Sequence, residues 1–377
     1  MSRARQVANF DPALLAADEV SLDKVDDGTL GTGTIGGSSV VNTSGAITTT
    51  GINTSASLVL TPGSTPGSPT EGAMYYDSTA RTVKVYDSTA WRQMSNEAFS
   101  ATGGTVTTYT GFKVHKFTSS GTFTVSGAVS TIDFLVVAGG GGGGSEVGAS
   151  NGSSGGGAGG LVWTTGHKVT AQSYGIFIGA GGQPVFVGGL AGYNGGDSTA
   201  FGITAEGGGG GGNWNGGTGV DGGSGGGSNS ATTSVGRQGY AGGTSTGVNG
   251  SGGGGAGAVG QSGTPSNGGD GSSTFVNSSA SETTALLLAS VAGTDSSNVA
   301  TTSSSSGTLY IAGGGGGAYT DSHTSTGGKG GGGYYGTTNS TSSPGKANTG
   351  GGGGGTAWDN HLGSKGGSGI VIIRYAI

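Results

Sequence analysis

The residues of this chain best suited to metal or acid–base chemistry are four histidines, His115, His167, His323 and His361, and their spacing serves neither purpose. They stand far apart, with no HExxH string and no facing carboxylate, so strand-borne or exposed histidine is the simpler reading. Glycoside hydrolysis would need two carboxylates across a groove, whereas the acids beyond residue 99 are spread singly along the chain, where only folding could pair them. Strings of the form GxGxxG are frequent, but among 94 glycines they arise by chance, and none joins a strand to a helix with an acid downstream. The pairs Gly328-Lys329 and Gly345-Lys346 lack the Ser or Thr that completes a phosphate loop. Asp197 in GGDST and Asp270 in GGDGSS resemble calcium-binding glycine repeats only faintly, because the regular nonapeptide period is missing. The expectation is a protein that is not an enzyme, with no cofactor and no metal.

Recognition chemistry is better represented. Flat aromatic faces beside amides and hydroxyls suit carbohydrate, and Trp163, Tyr193, Trp214, Tyr240, Tyr319, Tyr334, Tyr335 and Trp358 all stand beside glycine-rich turns. The candidate receptor-binding residues are Trp214 in GGNWNGG, Tyr319 with His323 in AYTDSH, Tyr334 and Tyr335 after four glycines, and Trp358 with His361 in TAWDNH. The alternative for any one of them is a structural cap on the glycine region or packing between subunits.

Something must hold those turns in place, and composition restricts what it can be. A chain with 94 glycines in 377 residues cannot be a conventional close-packed globule. Collagen needs glycine at every third position and much proline, whereas here glycines come in runs and prolines number 7. A purely flexible linker is at odds with strand-like punctuation such as FLVVA (134–138) and GIVIIRYAI (369–377). Tracts at 139–144, 207–212, 313–317 and 350–355 are similar in length, and the first three follow FLVVA, ITAE and LYIA. Ordering glycine costs roughly 1–2 kcal/mol per residue, so isolated tracts would remain flexible. Laid side by side as threefold extended helices, the tracts can instead exchange backbone hydrogen bonds with no Cβ between them. At about 3.1 Å per residue, six residues make a rod of roughly 19 Å, and matched rods imply a slab with loops leaving both ends.

The organisation expected is a mainly β, elongated homotrimeric fibre in four parts. Residues 1–27 hold PALLAADEV, a short amphipathic helix capped by Asp11, and serve as an attachment segment. Residues 28–70 read as small successive strands without a core of their own, which three chains wrapped about one axis would stabilise as a shaft. Residues 71–98 read as a hairpin module in which YDSTA occurs at 76–80 and again at 86–90, with one apolar face of Tyr75, Tyr76, Val83, Val85, Tyr86 and Trp91. Residues 99–377 form the glycine-rich domain, with strands near both of its ends paired in one sheet, and the resemblance given below implies that this domain binds the receptor.

A formal charge of −6 and no basic run make nucleic acid and anionic membranes poor partners. No apolar stretch approaches a membrane span, and MSRARQVANF has no apolar h-region behind it, so assembly in the cytosol is expected. Cysteine is absent, which leaves oligomerisation as the substitute for disulfide staples.

Taken together, YTGFKVHKFTSSGTFTVSG, DFLVVAGGGGGG, YGIFIGAGG, GGDSTAFGITAEGGGGGG and GGSGIVIIRY resemble the glycine-rich C-terminal domain of phage tail fibres and adhesins, over about residues 109–377. PGSPTEGAMYYDSTARTVKVYDSTAWRQM resembles the hairpin module that often precedes such domains, and MSRARQVANF looks like the start of structural fibres of marine and cyanobacterial viruses. The resemblance implies a virion-attached homotrimer whose N-terminal segment binds a phage tail or virion structural protein. Its glycine-rich region would form polyglycine-II-like helices that carry loops to a host cell-surface receptor. The chain departs from that pattern in two Ser/Thr/Asn-rich insertions, 228–250 and 277–307. A purely structural virion fibre or decoration protein, on head or tail collar, is the alternative reading.

Overall fold

The structure is a computed structural model that describes residues 62–63, 65–94, 98–109, 111–146, 151–185, 190–246, 249–273, 310–319, 324–335, 342–357 and 361–377. All of them belong to the unit Pro62–Ile377. The attachment segment, the shaft up to residue 61 and the insertion 277–307 lie outside the described residues. Among these residues the regular structure is entirely β, in three sheets.

The first sheet is small: β1 (Pro62–Gly63), β2 (Met74–Asp77), β3 (Thr82–Tyr86) and β4 (Trp91–Gln93), in that spatial order. The repeated YDSTA is one device used twice. Asp77 Oδ1 accepts the N–H groups of Thr79 and Ala80, and Asp87 Oδ1 those of Thr89 and Ala90, so each aspartate closes its own turn. Lys84 at 2.7 Å and Arg92 at 2.7 Å then hold the two carboxyls well below the usual carboxylate range. The single apolar face expected for this module is corrected. The register pairs Tyr75 with Lys84 and Tyr86 with Trp91, but Tyr76 with Val83 and Met74 with Val85. Tyr75, Tyr86 and Trp91 therefore cluster on one side, while Met74, Tyr76, Val83 and Val85 lie on the other.

The other two sheets face each other. One comprises β6 (Thr105–Tyr109), β7 (Phe112–Phe117), β9 (Ser130–Val137), β10 (Leu161–Val169) and β14 (Ile370–Ala376), in the order β10-β9-β14-β7-β6. The second comprises β5 (Ser100–Thr102), β8 (Gly121–Ser126), β11 (Ser173–Phe177), β12 (Ser198–Ala200) and β13 (Ile203–Ala205), in the order β13-β12-β11-β8-β5. As the sequence suggests, the strands near both ends of 99–377 share one sheet: β14, the last strand of the chain, lies antiparallel between β7 and β9.

Sequence pattern reports each strand's surroundings. In β8, Phe123 and Val125 point inward and Thr122, Thr124 and Ser126 outward, the alternation of a strand with one wet face. The runs 134–137 of β9 and 370–373 of β14 are apolar without alternation because both of their faces are covered. On one side Phe134, Val136, Val371 and Ile373 meet Phe123, Ile176 and Ala200 of the facing sheet. On the other, Leu135, Val137, Ile370 and Ile372 meet Ala158, Ile311 and Ala312, which belong to the glycine-rich segments. Each buried Phe, Leu, Ile or Val among them contributes about 1.5–3 kcal/mol. A bulge in β10 between Thr164 and His167 is supported by Gly166, at φ +64°, whose N–H donates to Asp133 Oδ1. Asp133 Oδ2 in turn accepts from Arg374, whose guanidinium lies over Phe112 and caps that apolar face.

The glycine-rich segments form a lattice. From the tract 139–144, the N–H groups of Gly139 and Gly142 donate to Gly196 and Tyr193. Those of Gly140 and Gly143 donate to Gly367 and Ser364, and those of Gly141 and Gly144 to Gly157 and Ser154. Every third residue faces the same neighbour, the signature of a threefold extended helix. Its carbonyls accept from three further segments: Gly139 and Gly142 from Gly208 and Gly211, Gly140 from Gly182, and Gly141 from Gly353. The tract therefore has six neighbours. A Cβ at Gly141 would collide with the carbonyl of Gly209 and one at Gly143 with that of Gly354, so close approach, not positive φ, requires glycine there.

Three outcomes differ from the sequence reading. Short stretches such as YNGG, SGGG and SKGG are full lattice members, not loops between tracts. The insertion 228–250 also joins the lattice over its described residues: Gly225 donates to the carbonyl of Tyr240, Tyr240 to that of Gly255, and Ser228 to that of Gly243. In LYIA, read from the sequence as a strand before 313–317, the described residues 310–312 carry an isolated bridge from Ile311 to Ser272 and supply Ile311 and Ala312 to the core.

Candidate functional site

Backbone register identifies which turns leave the lattice together. The tract 139–144 continues from β9, so Gly144 marks the end away from the sandwich. Gly144 donates to the carbonyl of Ser154, and Ser154 to that of Gly212; Asn213 and Trp214 therefore leave at that end. Ala318 donates to the carbonyl of Ser153 and Ser153 to that of Thr356, which brings Tyr319 and the exit of the 350–355 tract to the same level. Gly316 donates to Gly333, placing Tyr334 and Tyr335 there, and Gly143 donates to Ser364, placing His361 just beyond. His323 and Trp358 lie outside the described residues.

The candidates gathered at this end differ in what they offer. Tyr334 is exposed at 55%, its backbone N–H fixed by Ser343 Oγ at 2.7 Å. Trp214 is half-buried; its carbonyl accepts from Asn229 Nδ2 at 2.8 Å, and the same Nδ2 reaches the carbonyl of Gly152 at 3.1 Å, tying two turns together. His361 is half-buried, with its carbonyl accepting the Glu146 N–H. Tyr319 and Tyr335 are buried, and Tyr335 packs with Ala318 and Ala357. Within the protomer these two rings are buried at the lattice end, which is the structural alternative given above for any one of the candidates. Of the other aromatics beside glycine turns, Tyr193 and Tyr240 are exposed, while Trp163 lies in β10 beside Arg374.

Around Trp214 three polar atoms are buried without a hydrogen-bond partner among the described residues: Asn213 Oδ1, Trp214 Nε1 and Asn229 Oδ1. A buried polar atom left so costs about 1–3 kcal/mol, and such atoms concentrate where structure yields to function. The histidines divide by environment. His115, on β7, is buried, its Nδ1 at 2.7 Å from the Gly103 carbonyl and its ring against Phe123 and Tyr375. Desolvation lowers its pKa, with the charge of Lys113 adding to the effect and the Gly103 hydrogen bond opposing it. Among the described residues no three His, Cys, Asp or Glu side chains converge as a metal centre would require.

Sequence reading missed a motif with a clear use. Asn-Gly-Gly-Asp occurs at 194–197 and again at 267–270. Asn194 Oδ1 accepts the Gly210 N–H and Asp197 Oδ1 the Gly207 N–H, at 2.9 and 2.8 Å. Asn267 Oδ1 and Asp270 Oδ1 accept from Thr326 and Lys329 at 2.8 and 3.0 Å. The separation of three matches the helix period, so one motif supplies two side-chain acceptors along one edge, in place of a neighbouring backbone. That the motif recurs with this spacing was the available signal, and it gives Asp197 and Asp270 a structural use.

Residues 118–376, more than half of the chain, match the model of a family described as a glycine-rich domain. No curated protein matches the chain. The chain belongs to this glycine-rich domain family.

Proposed function

We propose that this member of the glycine-rich domain family is a bacteriophage tail fibre or adhesin. In this reading it assembles as a homotrimer, is held to the virion through residues 1–27, and attaches the particle to a host cell-surface receptor, a glycan or an outer-membrane component. The observation that carries the reading is the shared register of the tracts. Turns separated by more than a hundred residues in sequence, Trp214 and Tyr334 among them, leave at one end of a lattice whose tracts are hydrogen-bonded on several sides. A recognition surface presented on a rigid support loses little conformational entropy on binding, which favours affinity. The exposed Tyr334 and half-buried Trp214 supply the aromatic surface.

The test is adsorption of the purified, labelled full chain to susceptible and to phage-resistant host cells, with the oligomeric state measured by light scattering. Trimers that bind susceptible cells alone, and lose that binding in Trp214→Ala/Tyr334→Ala, support the adhesin. Trimers that bind neither cell type point instead to a purely structural fibre, and a monomer contradicts the assembly.

A further inference from the structure

On the flank of the lattice, beside the sandwich, the tract 207–212 has five backbone neighbours among the described residues in place of six. Its N–H groups at Gly208 and Gly211 donate to Gly139 and Gly142, and those at Gly209 and Gly212 to Ser224 and Gly227. The third direction, from Gly207 and Gly210, is met by the side chains of Asp197 and Asn194. Beside them opens a cleft of about 350 Å³ lined by Asn194, Asp197, Thr204, Glu206, Asp221 and Arg237. That is the small end of the range of ligand clefts, about 300–1,000 Å³.

The polar groups of the cleft are fixed before any ligand arrives. Each carboxylate is anchored through one oxygen: Asp197 Oδ1 by the Gly207 N–H, Asp221 Oδ1 by the Val235 N–H at 2.6 Å, and Glu206 Oε2 by Arg237 at 3.0 Å. No protein hydrogen bond among the described residues occupies the second oxygen of Asp197 or Glu206, and Asp221 Oδ2 lies 4.0 Å from Arg237. The wall is braced from behind by Gln238, which accepts the Glu206 N–H at 2.7 Å and donates to the Thr204 carbonyl at 3.0 Å. The backbone of Arg237 donates to the carbonyl of Gly222, tying the guanidinium's base to the lattice. Adjacent in sequence to Asn194 and Asp221, and at the Asp221-bonded residue itself, Tyr193, Val220 and Val235 expose 61%, 37% and 52% of their surface.

We propose that this cleft binds a neutral, hydroxyl-rich saccharide unit. Three carboxylates against one guanidinium repel anionic ligands, and the polar walls disfavour a purely apolar one. A pyranose matches the array: its hydroxyls donate to the outward carboxylate oxygens and accept from Arg237 and from the Asn194 amide hydrogen that the Asp221 carbonyl leaves open. The site is separate from the lattice end and does not depend on the adhesin reading.

The experiment is saturation-transfer NMR of the full chain with the methyl glycosides of glucose, galactose and mannose, and with N-acetylneuraminic acid as an anionic counterpart. At least one neutral glycoside gives a saturable signal and the anionic sugar gives none. Glu206→Gln, which keeps the shape, weakens binding about tenfold, the loss expected for a charge-assisted hydrogen bond. Thr204→Trp, from an exposed position on β13, fills the cleft and abolishes binding, and Trp214→Ala leaves it unchanged. The proposal is overturned if none of the neutral glycosides binds, if only the anionic sugar does, or if binding survives Thr204→Trp. Loss of cell adsorption in Trp214→Ala with sugar binding intact separates this site from the one at the lattice end.

Discussion

The sandwich and the glycine lattice solve the same problem with opposite means. In the sandwich, Phe134, Ile176 and Ile373 exclude water with bulk, and the backbones of facing sheets stay about 10 Å apart. In the lattice the backbones are themselves the packing units, so close that a Cβ at Gly141 or Gly143 would strike a neighbour's carbonyl. A backbone hydrogen bond contributes about 0.5–1.5 kcal/mol net, no more than the roughly 1–2 kcal/mol needed to order a glycine. Close approach must add dispersion and Cα–H···O contacts, and the apolar contact of Ala158, Ile311 and Ala312 with Leu135 and Ile372 anchors the lattice to the sandwich. A protein can thus order glycine-rich sequence without a hydrophobic core inside it, provided that a core stands at its root.

The comparison breaks most readily at a central lattice position. Gly141→Val should lower the unfolding free energy by at least about 4 kcal/mol, since neither backbone can yield without disturbing further neighbours. The sandwich counterpart, Phe134→Ala, should cost about 3–5 kcal/mol through a cavity that its surroundings partly refill. Chemical denaturation of the two variants compares them directly, and a Gly141→Val protein within about 0.5 kcal/mol of the parent would mean that the lattice is not tightly packed in solution.

A smaller effect sharpens the lattice side. Asp197→Ala or Asn194→Ala strips one acceptor from the 207–212 edge, leaving the Gly207 or Gly210 N–H unmet, at a cost of about 1–3 kcal/mol. Amide hydrogen exchange should accelerate at Gly207 in the first variant and at Gly210 in the second; unchanged rates at both would show that solvent serves equally well.

The smallest effect belongs to the sandwich. Burial lowers the pKa of His115 below its ordinary value near 6.5, so the unfolded chain takes up a proton at higher pH than the folded one. The contribution to stability is full above that ordinary value and declines as pH falls through it toward the lowered folded value. Denaturation midpoints between pH 8 and pH 5 should therefore fall more for the parent than for His115→Phe, and parallel curves would assign the pH dependence to other groups.

Strand content was legible wherever side chains do the packing. The alternation in GTFTVS and the unbroken FLVV and IVII runs correspond to one-faced and two-faced strands because the hydrophobic effect acts on side-chain pattern, which is local in sequence. The tracts were equally legible as extended rods, since their glycines admit few other packed arrangements. Placement of the aromatics was not: Tyr334 and Tyr335 are consecutive, yet one is exposed and the other buried against Ala318 and Ala357.

By itself, then, the sequence determined the two kinds of material in this protein, apolar strands and glycine rods, and the three-residue period by which Asn194 and Asp197 could meet donors three residues apart on one edge. Which rods are neighbours, which turns share an end, and that Asp197, Glu206, Asp221 and Arg237 surround one cleft were decided only in the tertiary structure. The physical reason is that glycine carries no side chain to encode a partner. Any tract could hydrogen-bond to any other, so the choice falls to the strands at the root of the lattice and to the few Asn, Asp, Ser and Gln side chains that close its edges.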